Sequence, residues 1–271
     1  MSAATRTSLA TLRAEIAVLE RGVGERGVGE RGVGEHGVGV RLAPEVIALG
    51  DARIDGRLPG GGLALRSWHA FAGEGLDLET AAASAAFVAR LAAPLAARGE
   101  MVWVLRRDDL YAPGLAGLGL PAERLIQVCA RDEDEALAVM EDALRTPGVA
   151  AVFGEADEID LVAGRRLQLA CEQSQATGFV LRRRPYGGAA KKESGSAAAT
   201  RWTVAPSPSA PAPGEPGLGA PRWRVKLERC RGGRTGAWIL EGREEDDAAH
   251  PFRLVADLGD HDLAPQTRLA S

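Results

Sequence analysis

Between residues 42 and 182, short apolar runs alternate with amphipathic stretches of helical period, and that alternation leaves few architectures open. Residues 68–72, 101–105, 125–128, 149–153 and 178–181 are short runs with strand character. Between them lie an alanine-rich stretch at 79–98 and amphipathic stretches at 132–145 and 164–173. Strands joined through helices of this length connect by right-handed crossovers, because a twisted strand feeding a helix packs back onto its sheet that way. Such strands run parallel, and both faces of the sheet need helices to keep apolar side chains from water. The expected fold class is α/β, with a mainly parallel central sheet flanked by helices.

After Arg182 the pattern changes. Residues 185–200 are rich in Gly, Ala, Ser and Lys and read as a mobile loop; residues 206–221 read as a proline-rich linker. A further strand is expected at 201–205. Residues 222–229 alternate, with Trp223, Val225 and Leu227 on one side and Arg222, Arg224 and Lys226 on the other. The glycines of Arg231-Gly-Gly-Arg234 then turn the chain into an apolar run at 237–240, which predicts a C-terminal β-hairpin. Beyond it periodicity fades, so the tail, residues 243–271, is expected to be loosely ordered.

At the other end, Leu9, Leu12, Ile16 and Leu19 recur at helical spacing behind Ser8, a suitable N-cap. This predicts an N-terminal helix over 8–20, which either docks a partner or packs on its own domain. In residues 20–40 the unit Gly-Glu-Arg-Gly-Val recurs almost unchanged. Two glycines around each valine neither hold a helix nor bury a core, so this tract reads as a linker. The chain thus divides into 1–41 (helix and linker), 42–242 (the α/β domain) and 243–271 (the tail).

Hydrophobic residues are 45% of the 271, enough for a sizeable core, and the formal net charge of −4 gives no global attraction to nucleic acid. Any DNA contact needs a local basic patch. Cys129, Cys171 and Cys230 form no CxxC, and His36, His69, His250 and His261 are scattered, so no metal site is expected and a reducing compartment fits. No signal-like segment opens the chain and no apolar run reads as membrane-spanning; the expected location is cytoplasmic.

The sharpest local signal lies in residues 73–80, between a strand and a helix, where ligands of open parallel sheets sit. The spacing is that of a phosphate loop, GxxxxGK[ST], with Gly73 first and Thr80 last. Leu78 stands where the second glycine belongs, and Glu79 stands where the lysine belongs. The glycine lets backbone N–H groups approach phosphate, and the lysine supplies its charge. At about 4 Å and an effective dielectric of about 20, that charge is worth on the order of 4 kcal/mol, and a carboxylate reverses its sign. Loss of the attraction alone removes roughly three decades of affinity. The loop is therefore a degenerate phosphate loop, and no cofactor is expected. The run 149–153, where a magnesium-binding Asp would follow, is followed by Gly154 and Glu155. Glu155 reads either as a metal ligand or as a solvated or capping carboxylate.

In order, Ile54-Asp55, Leu58-Pro-Gly-Gly-Gly-Leu63 and the strand and helix spacing of residues 101–154 resemble the RecA recombinase core. Arg107-Asp108-Asp109 falls near where that core places its catalytic glutamate, but one residue is missing, so no base is assigned. More closely, the chain resembles the ImuA family, RecA-related accessories of SOS mutagenesis. The stretches that carry this are Leu58–Leu63, Leu110-Tyr-Ala-Pro-Gly-Leu115 with Leu118-Gly-Leu120, Gly164-Arg-Arg-Leu-Gln-Leu-Ala170, Arg201-Trp202, and Pro221 to Leu227 with Arg231 to Arg234. The resemblance covers about residues 42–242. It implies a RecA-like core and a role in translesion synthesis beside ImuB, a Y-family-like protein, and an error-prone C-family polymerase. Contact with RecA is implied as well.

A RecA core binds DNA through mobile loops, and the matching loop here carries Lys191 and Lys192 beside Arg182, Arg183 and Arg184. With Arg201, Arg222, Arg224, Lys226, Arg231 and Arg234, they make a candidate face for single-stranded or primed DNA near Trp202 and Trp223. The plainer alternative is a solvated outer face with those tryptophans in the core. Arg165 and Arg166 open a helix whose Leu167, Leu169 and Ala170 are expected to pack on the sheet; Trp68 and Trp103 are expected in the core. The expected function is a non-catalytic adaptor of the mutagenic complex. A RecA-type ATPase with an unorthodox loop and a cell-division inhibitor of the SulA type are the competing readings.

Overall fold

The computed structural model describes residues 45–183, 197–209, 211, 214, 216–243 and 250–259. The expected helix at 8–20, the repeat tract and the segment 184–196 lie outside the described residues. In chain order the elements are β1 (Val46–Ile47), α1 (Ala52–Asp55), β2 (Leu63–Ala64), β3 (Trp68–Gly73), α2 (Asp77–Ala92), β4 (Glu100–Leu105), α3 (Ala112–Leu115) and β5 (Leu125–Cys129). There follow α4 (Glu133–Leu144), β6 (Val149–Glu155), α5 (Leu161–Gln173), β7 (Thr177–Arg182), β8 (Thr200–Ser207), β9 (Arg222–Cys230), β10 (Gly236–Gly242) and β11 (Phe252–Gly259).

Nine strands form one mixed sheet in the order β11-β10-β9-β8-β3-β7-β6-β4-β5. From β8 to β5 neighbouring strands are parallel. β9 folds back antiparallel on β8, and β10 on β9 across a turn from Arg231 to Thr235 too short for a crossover. The minor pair β1–β2 stands apart as its own two-stranded sheet.

One face of the sheet is covered by α2, whose Phe87, Val88 and Leu91 are fully buried. Beneath it a row of aromatic rings crosses the strands. Trp103 on β4 stacks on Phe153 of β6 (4.5 Å between centroids), Phe153 on Phe179 of β7 (5.2 Å), Phe179 on Phe71 of β3 (6.2 Å) and Phe71 on Trp202 of β8 (6.3 Å). Stacks of this kind stabilise by about 0.5–1.5 kcal/mol each beyond the area they bury. The opposite face is covered by α4 and α5, with Val139, Met140 and Leu167 against Trp68, Val102, Val104 and Val180. Trp68 and Trp103 are thus core residues, as the sequence suggested.

Three expectations need correction. Residues from Arg243 on are not loosely ordered throughout, because Phe252–Gly259 form β11, paired antiparallel with β10. Phe252 is 1% exposed and stacks on Phe87 at 4.7 Å, which anchors the strand. Leu169 is 46% exposed rather than packed on the sheet; the buried stripe of α5 is Gly164, Leu167, Ala170 and Cys171, the i, i+3, i+6, i+7 face. Finally, residues 79–97 are long and apolar enough to span a bilayer by length and composition alone. The sequence reading expected no run of that kind; the apolar side of this stretch, through Leu91 and Leu95, lies in the core of the domain.

Candidate functional site

At the carboxyl ends of β3, β4, β6 and β7 the sheet opens where a parallel α/β fold would place a phosphate ligand. Three residues, Glu74 to Leu76, link β3 to α2. Gly73 is needed because Thr80 lies directly against it; a Cβ at 73 would overlap the Thr80 Oγ1. Gly75 turns the link with φ +111°, a conformation that side chains disfavour. The Thr80 hydroxyl donates to the Leu76 carbonyl (3.1 Å), so it caps its own turn. Leu78 and Glu79 lie inside the helix, and the first turn carries Asp77 and Glu79 at its positive end.

The centre of the site is Arg183, in the first residue past β7. Its Nη1 donates to Glu155 Oε1 at the end of β6 (2.7 Å). The guanidinium also forks onto both oxygens of Asp109, beyond β4 (3.0 and 2.9 Å), and both oxygens of Asp77, on α2 (3.3 and 3.1 Å). The planar five-donor fork suits such paired carboxylates. The second Glu155 oxygen accepts from the Arg106 backbone N–H (3.1 Å). The side chains of Arg183 and Glu155 are only 9% and 2% exposed, against 17% for Asp77 and 34% for Asp109.

The electrostatics follow from that burial. Burial pushes the Glu155 carboxyl above its ordinary range, against the pull of the Arg183 charge and the Arg106 N–H. Hydrogen bonds from Arg183 hold Asp109 below the carboxylate range, outweighing burial. Burial disfavours the Arg183 charge, but its bonds to Asp109 and Asp77 and the nearby Glu155 raise its pKa further. Arg183 is the cation hydrogen-bonded to all three carboxylates, and the Arg107 charge adds a smaller attraction at Asp109.

A magnesium–nucleotide group, which a RecA-type core implies, does not fit these residues. The lysine position is a glutamate, the Thr80 hydroxyl is engaged by backbone, and the carboxylates at the strand ends are held by Arg183. Glu155 is therefore neither solvated nor a helix cap; it is the buried partner of an arginine.

The proposed DNA-contacting residues do not form one face. Arg183 is enclosed, and the Arg182 Nε donates to the Asp157 carbonyl (2.9 Å). Arg201, Arg222, Arg224 and Lys226 lie on β8 and β9, on the side opposite the core tryptophans. There Arg222 pairs with Glu241 (2.6 Å) and Arg224 with Glu74 (2.8 Å). Arg231 and Arg234 sit at the far end, since β9 runs antiparallel to β8 and Cys230 pairs with Thr200; the Arg231 Nη2 donates to the Ala197 carbonyl (2.7 Å). Arg184, Lys191 and Lys192 lie outside the described residues. Trp202 and Trp223 are core residues, 0% and 2% exposed, and the Trp223 Nε1–H donates to the Ala83 carbonyl (3.0 Å). They are enclosed, so base stacking on them is ruled out.

The sequence reading missed the role of Arg183. A signal was present: side chains alternate along a strand, so Arg183 continues the side of Leu181, which is in the core beneath α2. The flanking arginines hid it.

No protein-family model matches the chain. Two curated relatives, each named Protein ImuA and each from a strain of Caulobacter vibrioides, are 58% identical to it over 230 residues, covering 83% of this chain and 94% of the relative. At that identity and coverage, the chain belongs to the ImuA family.

Proposed function

We propose that this protein is a non-catalytic, RecA-like adaptor of a damage-induced mutagenic translesion synthesis complex. Its partners in this reading are an ImuB-type Y-family-like protein, an error-prone C-family polymerase and RecA. Membership of the ImuA family supports the pathway. The observation that carries the non-catalytic part is the Arg183 guanidinium held among Asp77, Asp109 and Glu155 where a nucleotide and its cation would sit. A fold that keeps its surfaces while its reaction centre is filled by its own side chain is suited to scaffolding. The six parallel strands, with the degenerate loop leaving β3, support the RecA-like reading.

A pull-down of the full chain from DNA-damaged cells tests the proposal. Recovery of a Y-family-like protein together with RecA is the expected result. Recovery of the division machinery alone would favour the SulA-type inhibitor, and recovery that requires added ATP would favour the ATPase. Weak DNA binding has one supporting observation, the row Arg222, Arg224 and Lys226 facing away from the core on β9. In that case affinity for a single strand falls steeply as salt rises.

A further inference from the structure

The nine-stranded sheet ends in β11 on one side and β5 on the other, and the two edges are built differently. β11 carries Arg253 and Asp257, and its pairing with β10 shifts register at two places. Charges and irregularities of this kind keep a sheet edge from templating another strand. β5 has neither. Its five residues, Leu-Ile-Gln-Val-Cys, contain no charge and no proline, and its pairing with β4 runs without a shift. All but Val128 keep some exposure.

The backbone shows what the open side of β5 presents. The Ala130 N–H donates to the Leu105 carbonyl of β4 (2.8 Å), so Ala130, Val128 and Ile126 turn their backbone groups toward β4. Alternate residues of a parallel strand face opposite sides, so those of Leu125, Gln127 and Cys129 point away from the sheet. The Leu125 N–H closes the preceding turn on the Ala122 carbonyl. Among the described residues, nothing bonds the Gln127 N–H or carbonyl. Gln127 is thus the centre of the open edge.

We propose that β5 pairs antiparallel with β5 of a second copy of this chain, about a two-fold axis through Gln127. Self-complementarity selects this occupant. The axis sets Gln127 opposite Gln127, residue 126 opposite 128 and residue 125 opposite 129, so both strands are used along their whole length. The two Gln127 residues exchange both backbone bonds, and each outward-facing residue meets an outward-facing one. On one face the half-buried Ile126 is covered by Val128, a pair of β-branched side chains suited to cross-strand contact. On the other, Leu125 lies beside Cys129. Just past the strand ends, the axis turns the exposed Glu123 of one copy toward Arg131 of the other, which is 84% exposed beyond its contact with Glu135. Each of these contacts occurs twice, as a closed two-fold interface requires. The interface is small, so a dimer in exchange with monomer is expected. The inference goes beyond the adaptor reading and does not depend on it.

Sedimentation velocity of the full chain and a cysteine cross-link test the pairing. The wild type is expected to move from monomer toward dimer as concentration rises to about 0.3 mM. Gln127→Lys, which sets two lysines against each other at the axis, is expected to weaken that association about tenfold or more. In a Cys129→Ser background, Gln127→Cys puts two thiols at the axis with Cα atoms about 5.5 Å apart, within disulfide reach. Mild oxidation is expected to link the copies. The wild-type Cys129 residues lie about 13 Å apart in this register and stay unlinked. Leu169→Cys in the same background, exposed on α5, also stays unlinked. A chain that is monomeric throughout that range overturns the proposal, as does association insensitive to Gln127→Lys or no link in the Gln127→Cys variant. Urea midpoints at the wild-type value show that the variants fold; should Gln127→Lys fail to, the wild-type sedimentation and the cross-link decide. A bait that recovers no partner from cells leaves the dimer standing, and a monomeric chain leaves the adaptor standing.

Discussion

Replacing Arg183 with methionine removes the cation that all three carboxylates share while keeping a side chain of similar length. Three carboxylates then remain, and the cost is dominated by Glu155, whose side chain is 2% exposed and cannot recover solvent without moving β6. Removing one partner of a buried ion pair costs about 3–5 kcal/mol. Asp109, at 34% exposed, is screened by water and adds little, so the expected loss is near the lower end, about 3 kcal/mol at pH 7.5. For a domain of this size that corresponds to a fall in Tm of about 6–12 °C. The loss depends on pH in a definite direction. In the intact protein Asp109 is held below its unfolded pKa, so its contribution is present above that value and fades as pH falls through the folded one. In the variant Glu155 loses the cation that opposes its burial, so its folded pKa rises further and acidification relieves the buried charge. Both effects shrink the gap between the proteins at low pH. Urea denaturation at pH 7.5 and 5.5 measures the Glu155 part, since the Asp109 part fades only below its unfolded value of 3.8, and Glu155→Gln in the Arg183→Met background is expected to restore about half or more of the loss. A penalty below about 1 kcal/mol at pH 7.5, or no recovery with Glu155→Gln, would refute the reasoning.

Other consequences are as open to measurement. His69 is fully buried, with its Nε2 bonded to the Ala64 carbonyl, so Nε2 carries the proton and Nδ1 accepts from Thr200. Burial pushes its pKa down to about 4, so stability is complete above the unfolded value of about 6.5 and falls by about 3 kcal/mol as pH drops toward 4. His69→Asn is expected to flatten that part of the pH profile, and an unchanged slope contradicts it. Phe252→Ala is expected to cost about 3–5 kcal/mol by denaturation, because it empties the site against Phe87 that holds β11; a loosely held tail would show almost no change. Gly154→Ala drives a Cβ into the Met140 Sδ and is expected to cost about 1–3 kcal/mol, with an unchanged midpoint as the contrary result.

The parallel half of the sheet was legible because burial on both faces makes each strand a near-continuous apolar run, and the helices between them keep their period. The alternation of Trp223, Val225 and Leu227 marked the inner side of β9 just as directly. β11 escaped notice because Val255 occupies an outward position, 42% exposed, and blurs the contrast with buried Phe252. The substitutions at Leu78 and Glu79 raised the expectation of a degenerate phosphate loop. What replaced it was not legible from spacing: Arg183 meets Asp109 and Asp77 across separations of 74 and 106 residues, which only the strand order brings together. Its place in a run of three arginines resembled a solvent-facing basic patch, although strand alternation sets Arg183 apart from its neighbours.

The most direct test of the closed site is calorimetric titration of magnesium and ATP into the intact, full-length protein. With Arg183 held by three carboxylates and Glu79 in the lysine position, the prediction is no saturable heat up to millimolar nucleotide and no shift in Tm. Saturable one-to-one binding, lost on substitution of Thr80 or Glu155, would contradict the account.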